Sequence, residues 1–132
     1  MKVKNVIKMT IRMVQDYFDL HHVDVGFSFE KDLMGTNMDA VLDRHEKDWF
    51  TIELNPAFCA ACTEGELVRV VSHEMVHVNQ YVNDGLNLDY DLFRGRKYKN
   101  ENYWFKPWEV EARGYEMAFL GFYNENWEKY CE

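Results

Sequence analysis

Apolar side chains recur at helical spacing in the first part of the chain and then change to alternation. Over about residues 4–21 they stand every three or four positions, which predicts an amphipathic helix. Residues 23–29 alternate apolar and other side chains as a half-buried strand does. Residues 38–42 and 49–54 predict two further strands, joined across residues 44–48. The pattern therefore predicts a helix followed by a three-stranded antiparallel sheet.

A second helix is predicted after the sheet. Thr63 can cap its first turn while the Glu66 side chain reaches back to the Thr63 amide. Asn83, Asp84 and Gly85 form a plausible stop signal further along the chain. Between these signals apolar residues keep helical spacing at Leu67, Val70, Val71 and Val78.

The last third of the chain predicts a short hairpin and a final helix. Residues 88–92 and 97–98 form the hairpin, with Gly95 at its bend and the neighbouring charges in solvent. Pro107 suits the first turn of a helix that runs to about residue 124. No repeat, low-complexity tract or linker interrupts the chain, so residues 1–132 are expected to form a single α+β domain.

Composition is that of a compact domain stabilised by an apolar core. The 132 residues are 47% hydrophobic and 16% aromatic, enough to bury a core without disulfides. Cysteines are odd in number, and Cys59 and Cys62 lack the matching pair that a zinc site needs, so buried or half-buried thiols are expected. No apolar leader and no apolar run of about 18 residues occurs, which predicts a cytoplasmic protein without membrane insertion.

Charge argues against nucleic acid as a partner. The chain carries 23 acidic and 15 basic residues, a formal net charge of −8, so its overall field repels phosphates. Residues 94–99 are locally basic, but a hairpin turn with solvated charges is the preferred interpretation of that stretch.

Two histidines in the second helix carry the candidate chemistry. His73 and His77 are four residues apart, so on a helix their rings project from one face, with about 5–6 Å between Cβ atoms, and can reach one metal ion. Glu74 lies beside them, close enough to take a proton from a metal-bound water whose pKa zinc would lower to about 7. The pattern predicts half of a zinc hydrolase site. The plainer alternative is a helix whose histidines only face a neighbouring element.

A third ligand is expected from the start of the final helix, since catalytic zinc takes three protein ligands and leaves one position for water. Glu109 and Glu111 both lie there, but they diverge by about 200° around the helix axis, so only one can face the ion. Arg113, one turn from Glu109, is a candidate to orient its carboxylate, with surface solvation as the alternative. Gln80 could fix a ligand or a loop, although ordinary helix surface is the plainer interpretation.

A hydrolase that attacks a carbonyl group also needs a donor for the negative charge that develops on the carbonyl oxygen. Spacing does not choose among five chemically suitable side chains, which are Tyr81, Tyr98, Tyr103, Tyr115 and Arg113. The histidines outside the motif have no partner spacing and are expected at the surface or in turns; they are His21, His22 and His45.

Residues 73–81 together with residues 107–112 resemble the small HExxH metallopeptidase-like proteins encoded by tailed bacteriophages, which are similar in turn to gluzincins. The resemblance covers roughly residues 60–117. It implies a small zincin-like domain in which a Glu of a following helix completes the zinc site. In several gluzincin-like families that Glu lies three residues before a small Ala, which favours Glu109, three residues before Ala112, over Glu111. Membrane-bound gluzincins carry Asp after that Ala, where this chain has Arg113.

The related SprT class of HExxH proteins acts on proteins attached to DNA and completes its zinc site with a third His. This chain has no His after His77, so that ligand set is excluded, although phage proteins often carry the SprT-like label loosely. If the chain is phage-encoded, the expected location is the host cytoplasm.

The function expected from these motifs is a zinc-dependent metallopeptidase that acts on a peptide or protein substrate. Glu74 would serve as general base, and residues 49–54 are the candidate edge strand for holding an extended substrate, with plain core sheet as the alternative. A second hypothesis is a metal-binding but non-catalytic phage accessory or assembly protein on the same scaffold. A third is a nonenzymatic domain that binds no metal.

Overall fold

The computed structural model describes residues 1–87, 89, 91–98 and 102–130, with only the backbone of residue 130. It forms an α+β fold of four α-helices, a three-stranded sheet and a small hairpin within these ranges. The elements in chain order are α1 (Val3–Phe18), β1 (Asp24–Phe29), β2 (Ala40–Glu46), β3 (Trp49–Leu54), α2 (Pro56–Ala61), α3 (Glu64–Asn83), β4 (Leu92–Phe93), β5 (Arg96–Lys97) and α4 (Pro107–Tyr130). Short 3₁₀ turns lie at Lys31–Leu33 and Tyr103–Phe105; the second, formed by Tyr103, Trp104 and Phe105, is called the aromatic turn below.

The three-stranded sheet is mixed, so the antiparallel prediction was wrong. Its strand order is β1-β3-β2, with β3 parallel to β1 and antiparallel to β2. Trp49–Leu54 is therefore the central strand rather than an edge, and its residues Phe50, Ile52 and Leu54 are fully buried. Alternation in residues 23–29 could not predict this, because a half-buried strand alternates whichever way its neighbour runs.

Asn55 stabilises the connection between β1 and β2, which passes the end of the central strand. The connection from β1 to β2 passes the end of β3, where Asn55 Nδ2 donates to the carbonyls of Leu33 (2.9 Å) and Met38 (3.1 Å). The Asn55 backbone N–H donates to the Asp39 carbonyl. Asn55 also caps α2, whose six residues are too short to leave a periodic pattern and were not predicted.

Helix α3 is the centre of the fold and begins where the sequence predicts. Thr63 Oγ1 accepts from the Glu66 amide and Glu66 Oε1 accepts from the Thr63 amide, which completes the expected capping box. The helix packs against the sheet, against α1 and most extensively against α4. It ends at Asn83, before Gly85 with a positive φ of 68°.

The hairpin and the last helix follow the predicted order with different bounds. Arg94 and Gly95 have positive φ angles of 51° and 78°, so Gly95 occupies the bend as expected. Of the predicted strand 88–92, residues 88 and 90 lie outside the described residues, and Leu92 belongs to β4. Helix α4 continues to Tyr130, beyond the predicted end near residue 124.

Two further expectations concern the thiols and the membrane. Cys59 is buried and Cys62 half-buried, both as free thiols, and burial raises the pKa of Cys59 to about 11. None of the helices in the described part of the chain combines the length and apolar character that crossing a bilayer requires.

Candidate metal centre

His73 and His77 project from one face of α3 near its middle. Their ring centroids are 4.8 Å apart and their Nε2 atoms are 3.2 Å apart. His77 is 5% exposed and His73 is partly buried, so both imidazoles are largely withdrawn from bulk water. Buried residues within the motif and directly after it fix this face, since Met75, Val76 and Val78 are fully buried in the core.

Glu109 brings the third donor from the first turn of α4. Its backbone N–H donates to the Lys106 carbonyl (2.9 Å), which starts the helix beside α3. Its Oε1 lies 3.1 Å from Nε2 of His73 and 3.1 Å from Nε2 of His77. The three donor atoms form a nearly equilateral triangle. A tetrahedral zinc with bonds of about 2.0–2.1 Å has ligand atoms about 3.3–3.4 Å apart, so the triangle needs to open by only ~0.2 Å.

The hydrogen bonds made by the outer ring nitrogens, Nδ1, determine that the Nε2 atoms of both histidines face the triangle. His73 Nδ1 donates to Glu116 Oε1 at 3.2 Å, and His77 Nδ1 donates to Gln80 Oε1 at 2.7 Å. The Gln80 amide nitrogen donates elsewhere, so its oxygen is left as the acceptor. A neutral imidazole that donates through Nδ1 presents a lone pair at Nε2. In their neutral forms both histidines therefore direct a lone pair towards the carboxylate of Glu109.

Electrostatics inside the triangle favour a positive charge. Burial disfavours a charged imidazole at His73, but hydrogen bonds to Glu109 and Glu116 outweigh it and raise its pKa to about 10. Burial opposes ionisation of Glu109, but its hydrogen bonds to both histidines lower its pKa to about 2. Burial also opposes a charged imidazole at His77, but its hydrogen bond to Glu109 and the nearby carboxylate of Glu74 outweigh burial and raise its pKa. A divalent cation would supply the charge that protons otherwise supply.

Glu74 lies beside the same centre, but its carboxylate is not hydrogen-bonded to the three donor residues. Burial raises its pKa, and the two histidines partly offset that effect. Among the described residues its carboxylate makes no hydrogen bond, unlike Glu109 and Glu116. A carboxylate that is free to accept a proton and is destabilised in its charged form has the character of a general base.

A cavity of about 730 Å³ opens onto the metal centre. His73, Glu74, His77, Glu109 and Glu116 form its inner end. The cavity is also lined by positions 37–42, which comprise the start of β2 and the residues before it, and by Tyr103 and Lys106.

Glu111, the alternative ligand from the sequence, faces away from the histidines. Its Oε1 accepts from Gln80 Nε2 (3.0 Å) and its Oε2 accepts from Arg94 (2.6 Å). Arg94 also forms an ion pair with Asp84 at the end of α3 (3.2 Å). The carboxylate of Glu111 thus joins α3, α4 and the hairpin, while that of Glu109 meets both rings.

Gln80 is part of the centre, and its interpretation as helix surface was wrong. The side chain is completely buried and bridges three groups. Besides accepting from His77, it donates to the Trp108 carbonyl (2.9 Å) and to Glu111. It therefore links a histidine of α3 to the first turn of α4.

Most of the other candidate residues from the sequence do not line the cavity. Arg113 donates to the Trp104 carbonyl and contacts the aromatic turn, and within the described residues it forms no hydrogen bond or ion pair with Glu109. Tyr115 packs against rings of α1 and α4 away from the cavity, Tyr81 against Phe50 and Tyr98 against Trp108. Of the four tyrosines considered, Tyr103 lines the cavity.

Glu116 is the residue of the centre that sequence reasoning missed. Its Oε1 accepts from His73 and its Oε2 from Arg69 Nε (3.2 Å). It follows Glu109 by seven residues, two helical turns, and so shares its face of α4. That spacing was available in the sequence as a signal.

Comparisons with protein-family models, with curated proteins and with solved structures found no match. The resemblance to phage-encoded HExxH proteins stays a prediction, and the chemistry of the site carries the argument for function.

Proposed function

We propose that this protein is a zinc-dependent metallopeptidase. The observation that supports the proposal is the triangle of His73 Nε2, His77 Nε2 and Glu109 Oε1, with sides of 3.1, 3.1 and 3.2 Å. Both outer nitrogens already have acceptors, so in the neutral imidazoles that a metal ion requires, three lone pairs converge on one point. Two imidazoles and one carboxylate form a donor set typical of catalytic zinc.

Zinc held by these residues would lower the pKa of a bound water and polarise a substrate carbonyl. The protein's own contribution begins with Glu74, which accepts the proton of the attacking water. The same carboxylic acid then delivers that proton to the nitrogen of the leaving amine, so Glu74 ends the cycle ionised. Burial raises the pKa of Glu74, which makes its carboxylate a stronger base than an exposed one.

The substrate is proposed to bind as an extended chain along β2. Within the described ranges no strand pairs with the outer side of β2, and positions 37–42 line the cavity. Free backbone N–H and C=O groups of an edge strand bind a peptide by adding it to the sheet. In this proposal β2 takes the role that was predicted for residues 49–54.

A second candidate is a metal-binding accessory protein that works through a partner surface. The observation that favours it is the aromatic turn, where Trp104 is 63% and Phe105 73% exposed beside the cavity. Exposed aromatic residues next to a rigid centre suit protein contacts as well as substrate contacts.

Glu74→Gln distinguishes the two candidates. We expect purified wild-type protein to bind one zinc per chain and to cleave members of a mixed peptide library, measured by mass spectrometry. Glu74→Gln should keep the zinc and lose at least ~10³-fold in kcat, because the amide cannot accept the proton. Glu125→Gln, an exposed site on α4, is the matched control and should retain wild-type activity. Zinc binding without any cleavage by the wild type would contradict the peptidase and support the accessory protein.

A further inference from the structure

The aromatic turn places Tyr103, which is 52% exposed, at the cavity that the three donor residues also line. Asn102 caps this turn, with its Oδ1 accepting from the Trp104 amide (3.0 Å), and the Phe105 amide donates back to the Asn102 carbonyl (2.9 Å). Lys106 and Pro107 lead directly from the turn into α4, so the turn and Glu109 belong to one continuous segment. The aromatic turn therefore directly precedes the helix that carries Glu109.

Arg113 holds the aromatic turn from the next turn of α4. Its guanidinium carbon lies 5.1 Å from the Trp104 ring centre and 5.9 Å from the Tyr103 ring centre, and one of its nitrogens donates to the Trp104 carbonyl. Cation–π contact with two rings and a backbone hydrogen bond restrict the turn in both position and rotation. The partly exposed rings are therefore anchored rather than loosely attached.

The charges around Tyr103 keep its hydroxyl protonated. Burial raises its pKa, and the carboxylates of Glu109, Glu74 and Glu116 raise it further, while Arg113 acts in the opposite direction. A neutral phenol can donate a hydrogen bond to a substrate. Because it carries no charge, it forms no ion pair with these carboxylates. Lys106 is the other hydrogen-bond donor of this segment that lines the cavity, but its Nζ lies over the Trp108 ring, 5.8 Å from the ring centre.

We propose that the Tyr103 hydroxyl donates a hydrogen bond to the oxygen of the scissile carbonyl as negative charge develops on it, and that Arg113 is the positioning residue for this donor. The proposal rests on the proposed peptidase function. No proton leaves Tyr103 in this role; the O–H group remains intact while the carbonyl oxygen gains and then loses charge. Such a donor acts mainly in the transition state, so it affects kcat more than KM.

Tyr103→Phe tests the donor by removing only the hydroxyl. We expect kcat to fall ~10²–10³-fold while KM and the zinc content are unchanged. Tyr98→Phe is the matched control, because Tyr98 packs edge-on against Trp108 at 5.5 Å and does not line the cavity. Affinity for a phosphinic peptide, whose tetrahedral oxyanion carries the charge in the resting complex, gives a readout besides activity. Calorimetry should show this affinity falling ~10–10²-fold in Tyr103→Phe alone.

Arg113→Lys tests the positioning role in a double-mutant cycle. The lysine keeps the charge but loses the planar group between the rings, so we expect a loss of ~10-fold in kcat. Combined with Tyr103→Phe it should add little, because there is no donor left to position. A fully additive double variant would overturn the role of Arg113.

The outcomes separate this inference from the proposed function. A wild-type protein that cleaves no peptide removes both. A wild type that cleaves, with Tyr103→Phe at wild-type kcat and phosphinic peptide affinity, overturns the donor alone. Loss confined to Lys106→Met would overturn it in the same way and transfer the role to that ammonium.

Discussion

Replacement of the buried Gln80 by Met is expected to weaken zinc binding without touching a ligand. Methionine fills a similar volume but removes the acceptor of His77 Nδ1 and the donor to Trp108 and Glu111. Leaving the buried His77 N–H without an acceptor costs ~1–3 kcal/mol. The two lost donor bonds cost less, because Glu111 keeps its contact with Arg94.

We therefore expect Gln80→Met to lower the free energy of unfolding of the metal-free protein by ~2–4 kcal/mol. Without its outer partner the His77 ring no longer has a fixed tautomer or orientation, and zinc affinity should fall ~10–100-fold. Urea denaturation gives the first quantity, and competition with a chromophoric chelator under native conditions gives the second.

Gln15→Met is the matched control for this experiment. Gln15 lies on α1, is half-buried and donates one side-chain hydrogen bond, to the Val23 carbonyl (3.2 Å). Its replacement should cost only ~0.5–1.5 kcal/mol of stability and leave zinc affinity unchanged. The reasoning is refuted if Gln80→Met folds and binds zinc within twofold of the wild type.

Two further predictions concern the same centre. Glu116→Gln keeps an acceptor for His73 but removes its charge, so zinc affinity should fall by up to ~10-fold in the chelator competition; an unchanged affinity would contradict the orienting role. For the metal-free protein, the pKa of His73 is raised from 6.5 to about 10, so its contribution to stability is complete below pH 6.5 and is lost as the pH rises towards 10. The pKa of Glu109 is lowered from 4.5 to about 2, so its contribution is present above pH 4.5 and is lost as the pH falls towards 2. As far as it depends on these two groups, the urea concentration at the midpoint of unfolding should therefore be highest between about pH 4.5 and 6.5. A midpoint that rises steadily from pH 6.5 to 10 would refute this coupling.

The sequence predicted the parts of the centre that depend on local spacing. His73 and His77 share a helix face because of their separation, and the capping box at Thr63 and Glu66 fixes where that helix begins. The geometry of α4 required one of two carboxylates to turn away, and the resemblance favoured Glu109. The structure brings that carboxylate to both rings.

The parts that were missed depend on contacts between distant segments. Gln80 is buried because the first turn of α4 packs over it, and the sequence of α3 alone does not predict that contact. The strand order depends on Asn55, which binds a loop 22 residues earlier in the chain. Helical spacing makes Arg113 a candidate to orient Glu109, with a solvated surface position as the alternative, but its long side chain extends to the aromatic turn.

The separation of His77 from Glu109 in the sequence has a thermodynamic consequence. Thirty-two positions divide them, and the intervening chain carries the hairpin and the aromatic turn. An ion shared by these side chains can bind only when the fold has closed that stretch into a loop, so it binds the folded protein and not the unfolded polypeptide. At a free ion concentration about a thousand times the dissociation constant, mass action adds ~4 kcal/mol to the folded state. Chelation would therefore threaten the integrity of the molecule as well as its chemistry.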